Sequence, residues 1–175
     1  TNIVSTNLYA LLNYVFFDDS SSTIPSRYRQ LSTTQADVFD IKSLNGAGTM
    51  PIYYQMLNIV GLKLRSTPTA NLTLIGCNSN VGGEKGNTAL SSSRAESVKK
   101  YFVEVWGISP SRLTVKERNL PEVPSNSASQ DGIEENRRVE IVANDKSILE
   151  PLFFTDTTRT SSAPIVRFNQ NIRSE

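Results

Sequence analysis

Two separated runs constrain this chain more than anything else in it. The first begins Gly76-Cys77-Asn78-Ser79-Asn80-Val81-Gly82, continues through Asn87 and Leu90-Ser91, and reaches Arg94-Ala95. The second is Asn136-Arg137-Arg138-Val139-Glu140-Ile141. Ahead of the first run, residues 71–75 alternate, Leu72 and Leu74 on one face and Thr73 and Ile75 on the other, which is the period of a strand. Asn78, Ser79, Asn80, Gly82 and Gly83 then supply turn formers that tolerate special dihedrals. An amphipathic helix follows over about residues 88–106, with Val98, Tyr101, Phe102, Val105 and Trp106 on one face. Gly107, Ile108 and Pro110 read as its Schellman-type end. A polar loop at the end of a strand and facing a helix N-terminus is a ready anion site. Taken alone, the loop is more simply a polar connection.

Several function classes are excluded by what the chain lacks. It has no histidine, so neither histidine catalysis nor a histidine metal ligand is available. Its one cysteine, Cys77, permits no internal disulfide and leaves the redox compartment open. Net charge is +1 from 18 basic and 17 acidic residues, which points to neither nucleic acid nor an acidic membrane surface. No apolar run reaches the roughly 18 residues of a membrane helix. The glycines at 82, 83 and 86 fit neither phosphate-loop pattern. Asp18/Asp19 and Glu134/Glu135 are adjacent carboxylates, suited to turns and solvation rather than to acid–base work between separately tuned groups. The expectation is a binding domain with no enzymatic activity, no cofactor and no metal.

The two runs together resemble the OmpA-like peptidoglycan-binding family, whose pattern is Gly-His-Thr-Asp-x-x-Gly, then Asn, Leu-Ser-x-x-Arg-Ala, and later Asn-Arg-Arg-Val-Glu. Gly76, Gly82, Asn87, Leu90, Ser91, Arg94, Ala95 and residues 136–140 match in type and spacing. The resemblance covers roughly residues 10–145 and implies an α+β fold in the order strand-helix-strand-helix-strand-strand, a mixed sheet with helices on one face. It also implies a site. In the family, the aspartate of the loop pairs with the ammonium of wall diaminopimelate and the arginine matching Arg94 takes its carboxylate. Asn78, Ser79, Asn87 and Arg94 are thereby candidate ligand contacts. One arginine of the Arg137-Arg138 pair borders the ligand in the family, and Arg138 is the candidate carried forward.

The chain departs from that pattern at the loop, where Cys77-Asn78-Ser79 replaces His-Thr-Asp. Losing a hydrogen bond to a charged group removes roughly 1.5–3 kcal/mol, about ten- to a hundredfold in affinity. Glu84 is the nearest acid able to substitute. On this reading, Ser79→Asp should tighten diaminopimelate binding.

Outside the two runs, residues 8–17 read as a buried strand ending at Asp18-Asp19, and a helix starts at Thr49-Pro51 and stops before Pro68. Gly61 within that helix suggests close packing against the sheet. About residues 20–50 form an inserted segment, longer than a usual connection, in which 36–41 make one helical turn or a short strand. Arg27, Tyr28 and Arg29 lie there, either as a basic, aromatic wall of a groove or, more simply, as a solvated turn. Residues 113–116 are a third strand, 119–132 a loop, and 138–142 the last strand. Residues 146–175 form a β-rich extension or the start of a following domain, with a strand-like run at 164–168.

The resulting expectation is a wall anchor without chemistry of its own, a module cut from a larger secreted protein of the Gram-negative periplasm or outer membrane. Its partners would be the peptidoglycan stem peptide and other envelope proteins. The alternative is a diverged scaffold or interaction module that has abandoned wall binding. An exposed hydrophobic patch on the insertion or tail favours the scaffold; a polar pocket holding an anion beside Arg94 favours the binder.

Overall fold

In the computed structural model, which describes residues 2–159, the elements follow one another as β1 (Asn2–Tyr9), β2 (Tyr14–Phe16), α1 (Thr33–Asp37), α2 (Thr49–Tyr53), α3 (Met56–Ser66), β3 (Leu72–Gly76), α4 (Thr88–Glu104), β4 (Leu113–Glu117), α5 (Gln130–Asn136), β5 (Arg138–Ala143) and β6 (Leu152–Arg159). Four strands form a mixed sheet in the order β2–β5–β3–β4, with β3 and β4 parallel and the other pairs antiparallel. This is the expected α+β architecture with additions. Alternation along β3 buries Leu72 and Leu74 beneath α4, while Val139 and Ile141 of β5 join the same core with Val98, Phe102 and Trp106.

Several boundaries differ from the sequence reading. The strand expected over residues 8–17 is two strands. β1 leaves the sheet and pairs along its length with β6 in a separate antiparallel ribbon, so Leu8 is exposed rather than buried. Asn13 marks the switch, exchanging hydrogen bonds with Ile141 through both its carbonyl and its side-chain amide. The helix expected from Thr49 breaks at Tyr54-Gln55, where Tyr53 and Tyr54 pack their rings 5.8 Å from Tyr28. Gly61 abuts Trp106 rather than the sheet; a Cβ there would lie 2.5 Å from the indole. Residues 130–136 form the short helix α5, capped by the Ser129 hydroxyl, where a loop was expected through 132.

The inserted segment is packed, not loose. Ser32 and Gln35 close a capping box on α1. Tyr28 is buried, not solvated; its hydroxyl accepts the Phe16 N–H at 2.8 Å and contacts the Tyr53 hydroxyl. Tyr101 on α4 accepts the Leu31 N–H and donates to Asn58 Oδ1, binding the insertion to two helices. A second, smaller cluster (Leu44, Ile52, Ile59, Leu152 and Phe154) fastens the ribbon to α2 and α3. The run at 164–168 lies outside the described residues. Among the described residues no helix is long and apolar enough to cross a membrane.

Candidate functional site

The site lies where β2 and β3 end and β5 begins. Gly76, the last residue of β3, lets the strand close on α4: a Cβ there would meet the Ser91 carbonyl oxygen at 1.8 Å. The loop that follows is therefore drawn across the start of α4. Asn78 is fully buried and secures it, donating to the Asn87 carbonyl, Ser91 Oγ and Asn119 Oδ1 while accepting the Asn80 N–H. Asn80 takes a left-handed φ of 53°, accessible to asparagine. Asn87 caps α4 through its side-chain oxygen, which accepts the Leu90 N–H.

Glu84 sits on a surface turn beside exposed Gly82, Gly83, Lys85 and Gly86, yet its own side chain is 0% exposed. Its carboxylate points inward and gathers donors. Oε2 accepts the Ser79 N–H at 2.8 Å and the Ser79 hydroxyl at 2.9 Å; Oε1 accepts the Ser20 N–H at 2.9 Å. The Arg94 fork completes the set, Nη2 at 2.5 Å from Oε1 and Nη1 at 3.4 Å from Oε2. Arg94 is equally buried, and its other hydrogens go to the carbonyls of Ser21, Cys77 and Asp18. All five of its N–H donors are thus satisfied within the protein. Phe17 covers the guanidinium at 5.6 Å. Burial opposes ionisation of Glu84, but hydrogen bonds from Arg94, Ser79 and Ser20 outweigh it and hold the carboxyl down at about 2 from its ordinary 4.5.

Three of the five sequence candidates therefore meet in one place, but turned inward, while Asn87 stays exposed at the helix start. Asn78, Ser79 and Arg94 form a sealed polar node around Glu84. Arg138 is 4% exposed and engaged elsewhere, paired with Glu140, bonded to the Glu135 and Val123 carbonyls and stacked over Tyr14 at 4.3 Å. It borders a separate depression of about 330 Å³. Its neighbour Arg137 is the member of the pair that faces the node, with Nε 3.6 Å from Glu84 Oε1 and Nη2 3.2 Å from Asp19. The expectation for Ser79→Asp changes accordingly, because an aspartate there would set a second carboxylate against Glu84.

In front of the node opens a cleft of about 660 Å³, lined by Phe17, Asp18, Asp19, Arg27 and Arg137 together with Asp131, Glu134 and Glu135 of α5. Adjacent acids in sequence suggest turns and solvation for Asp18, Asp19, Glu134 and Glu135, but the fold sets all four on the cleft. The Ser129 cap ahead of Asp131 was the one local sign that α5 would carry its acids to a cleft. Cys77 is buried beside the node, and burial pushes its thiol up to about 12, far from a reactive thiolate. Among the described residues no group of three or more acidic or cysteine side chains could hold a metal ion.

Fold and node together define an α+β domain whose polar site is built by loops at one end of a mixed sheet. The chain belongs to the OmpA family, whose model matches residues 45–137, just over half of it. It is 38% identical over 100 residues, 57% of this chain, to the peptidoglycan-binding protein ArfA of Mycobacterium tuberculosis and of Mycobacterium bovis. The chain spans about 30% of the length of those relatives. Among solved structures, the peptidoglycan-associated lipoprotein of Burkholderia pseudomallei matches with a TM-score of 0.54 at 18% identity, covering 76% of this chain and 91% of that one. The C-terminal domain of Helicobacter pylori MotB matches with a TM-score of 0.53 at 18% identity, covering 79% and 89%. These two structural likenesses bear on the fold alone.

Proposed function

We propose that this domain binds peptidoglycan without acting on it chemically and anchors a larger envelope protein to the wall. The observation that carries the reading is family membership through the loop-and-helix segment itself, joined by 38% identity to a protein named for peptidoglycan binding. The stem peptide, of the diaminopimelate type, is the ligand segment proposed, and the Gram-negative periplasm or outer membrane the compartment. Asp18, Asp19, Arg27 and Arg137 around the cleft are the contacts; Asn78, Ser79 and Arg94 hold the cleft wall in shape, and Asn87 holds the helix start. Arg137, with Nη2 on Asp19 at the cleft rim, offers a guanidinium to a ligand that displaces that exposed partner.

The test is co-sedimentation with purified diaminopimelate-type sacculi. Wild type should bind saturably, and Arg137→Ala or the double change Asp18→Asn/Asp19→Asn should weaken binding by about tenfold or more, the scale of one charged hydrogen bond. Asp18 and Asp19 are exposed, so their double change should leave the circular dichroism spectrum unaltered; Arg137 is only 11% exposed, so the binding loss of Arg137→Ala counts only where its spectrum matches that of wild type. A folded wild type that leaves sacculi untouched would refute wall binding.

The second reading, an interaction module that no longer binds wall, is favoured by one specific observation. The ribbon formed by β1 and β6 presents Val4, Leu8 and Phe153 outward at 62%, 58% and 65% exposure, with Leu8 and Phe153 directly paired across the strands. On that reading the ribbon of β1 and β6 mediates contact.

A further inference from the structure

The node around Arg94 has the construction of an anion-binding cradle. Three main-chain carbonyls, from Asp18, Ser21 and Cys77, fix the guanidinium plane. The two Nη atoms then point their remaining hydrogens toward one spot. Aimed at that same spot are the N–H groups of Ser20 and Ser79 and the Ser79 hydroxyl. The guanidinium of Arg137 stands behind it at 3.6 Å. Such convergence of donors from residues 20, 79, 94 and 137 is a recognition geometry for a carboxylate.

The occupant is the protein's own. Glu84 reaches the cradle from a turn whose other residues are exposed, and Gly82 and Gly86 on that turn adopt φ of +55° and +69°, which lets the chain reverse sharply and send one side chain inward. Hydrogen bonds shape the turn itself, from the Glu84 N–H to the Val81 carbonyl, the Lys85 N–H to the Gly82 carbonyl and the Gly86 N–H to Asn80 Oδ1, and the Glu84 carboxylate ties it to the interior.

We propose that the Arg94 node is a carboxylate-binding site permanently filled in cis by Glu84, making Glu84 the residue that excludes any ligand carboxylate from Arg94. The chemistry of the cradle stands without wall binding. Only its consequence, that this domain reads a wall peptide by groups other than a carboxylate held at Arg94, rests on the function proposed above.

The experiment is chemical rescue. Glu84→Ala removes the tethered carboxylate, and formate is the probe. Formate at about ten times its dissociation constant should raise the melting temperature of Glu84→Ala by roughly 3–5 °C in a saturable manner. Chloride at equal ionic strength should not, and wild type should respond to neither. A Glu84→Ala protein that treats formate and chloride alike would overturn the proposal. Should Glu84→Ala not fold, Glu84→Gln carries the test through Ser79→Asp, which supplies a carboxylate from the neighbouring position. Ser79→Asp should lower the melting temperature in wild type and raise it in Glu84→Gln; the same sign in both backgrounds would overturn the proposal. Failure of wild type to bind sacculi strikes the wall reading alone and leaves the formate result unaffected.

Discussion

Replacing Glu84 by glutamine at neutral pH should cost about 3 kcal/mol. The figure follows from the donors around the carboxyl, which hold it down at about 2 in the fold from its ordinary 4.5, each unit corresponding to about 1.36 kcal/mol. It agrees with the roughly 3–5 kcal/mol lost when one partner of a buried ion pair is removed, since Arg94 would keep its charge with only neutral acceptors around it. The sign fixes the pH window. Because the folded pKa lies below the unfolded one, the stabilisation is complete above about pH 4.5 and is lost as pH falls toward 2. Glutamine imitates the protonated acid, so the gap between wild type and Glu84→Gln should be widest at pH 7 and close progressively below pH 4.5. Urea unfolding, followed by far-ultraviolet circular dichroism at pH 7, 5, 4 and 3, measures the gap, with an unchanged m-value confirming that the same surface unfolds. A gap under about 1 kcal/mol at pH 7, or one that persists undiminished at pH 3, would refute the view that an ionised Glu84 neutralises Arg94 inside the fold.

Three other outcomes follow from the packing. Cys77, its thiol raised to about 12 by burial, should resist a thiol reagent at pH 8 in the folded protein and react at once in urea, so fast labelling of the native state would contradict the burial. Gly76→Ala should cost upwards of about 3 kcal/mol, because its Cβ would lie 1.8 Å from the Ser91 carbonyl oxygen and must push β3 away from α4; near-wild-type urea stability would show that the strand and helix have slack. Tyr101→Phe should lose about 1–3 kcal/mol by stranding Asn58 Oδ1 and the Leu31 N–H, and limited proteolysis should then nick the inserted segment first; an unaltered digest would mean that the segment is held by other contacts.

The sheet was legible in the sequence because its order rests on local periods. Leu72/Leu74 and Val139/Ile141 alternate, α4 carries its stripe from Val98 to Phe102, and Gly107 ends it with φ +65° and the Ile108 N–H on the Phe102 carbonyl, as expected for a Schellman turn. What stayed hidden was long-range. Nothing local tells β1 to leave the sheet for a partner about 150 positions away, and the exposed Leu8 reads like any core leucine until its pairing with Phe153 is known. Tyr28 looked like a turn residue because its anchors, Phe16 and Tyr53, are distant in sequence. The site shows the same division. Its membership could be read from spacing, but whether Arg94 faces outward or inward depends on where Ser20, Ser21 and Asp18 come to rest, and that is a property of the packed insertion.

The exchange at residue 79 then has a physical logic. A guanidinium held by three carbonyls still carries a full charge, and a buried charge without a counter-ion is untenable. The resembled pattern places an acid at the position of Ser79; this chain places it five residues on, at Glu84, on a side chain one methylene longer and a turn that doubles back. The Glu84 carboxylate faces the arginine, and the Ser79 hydroxyl is one of its donors, where a second carboxylate would have repelled it. Restoring aspartate at 79 without removing Glu84 therefore sets two acids in competition for one arginine. The two positions have to be read, and changed, as a pair.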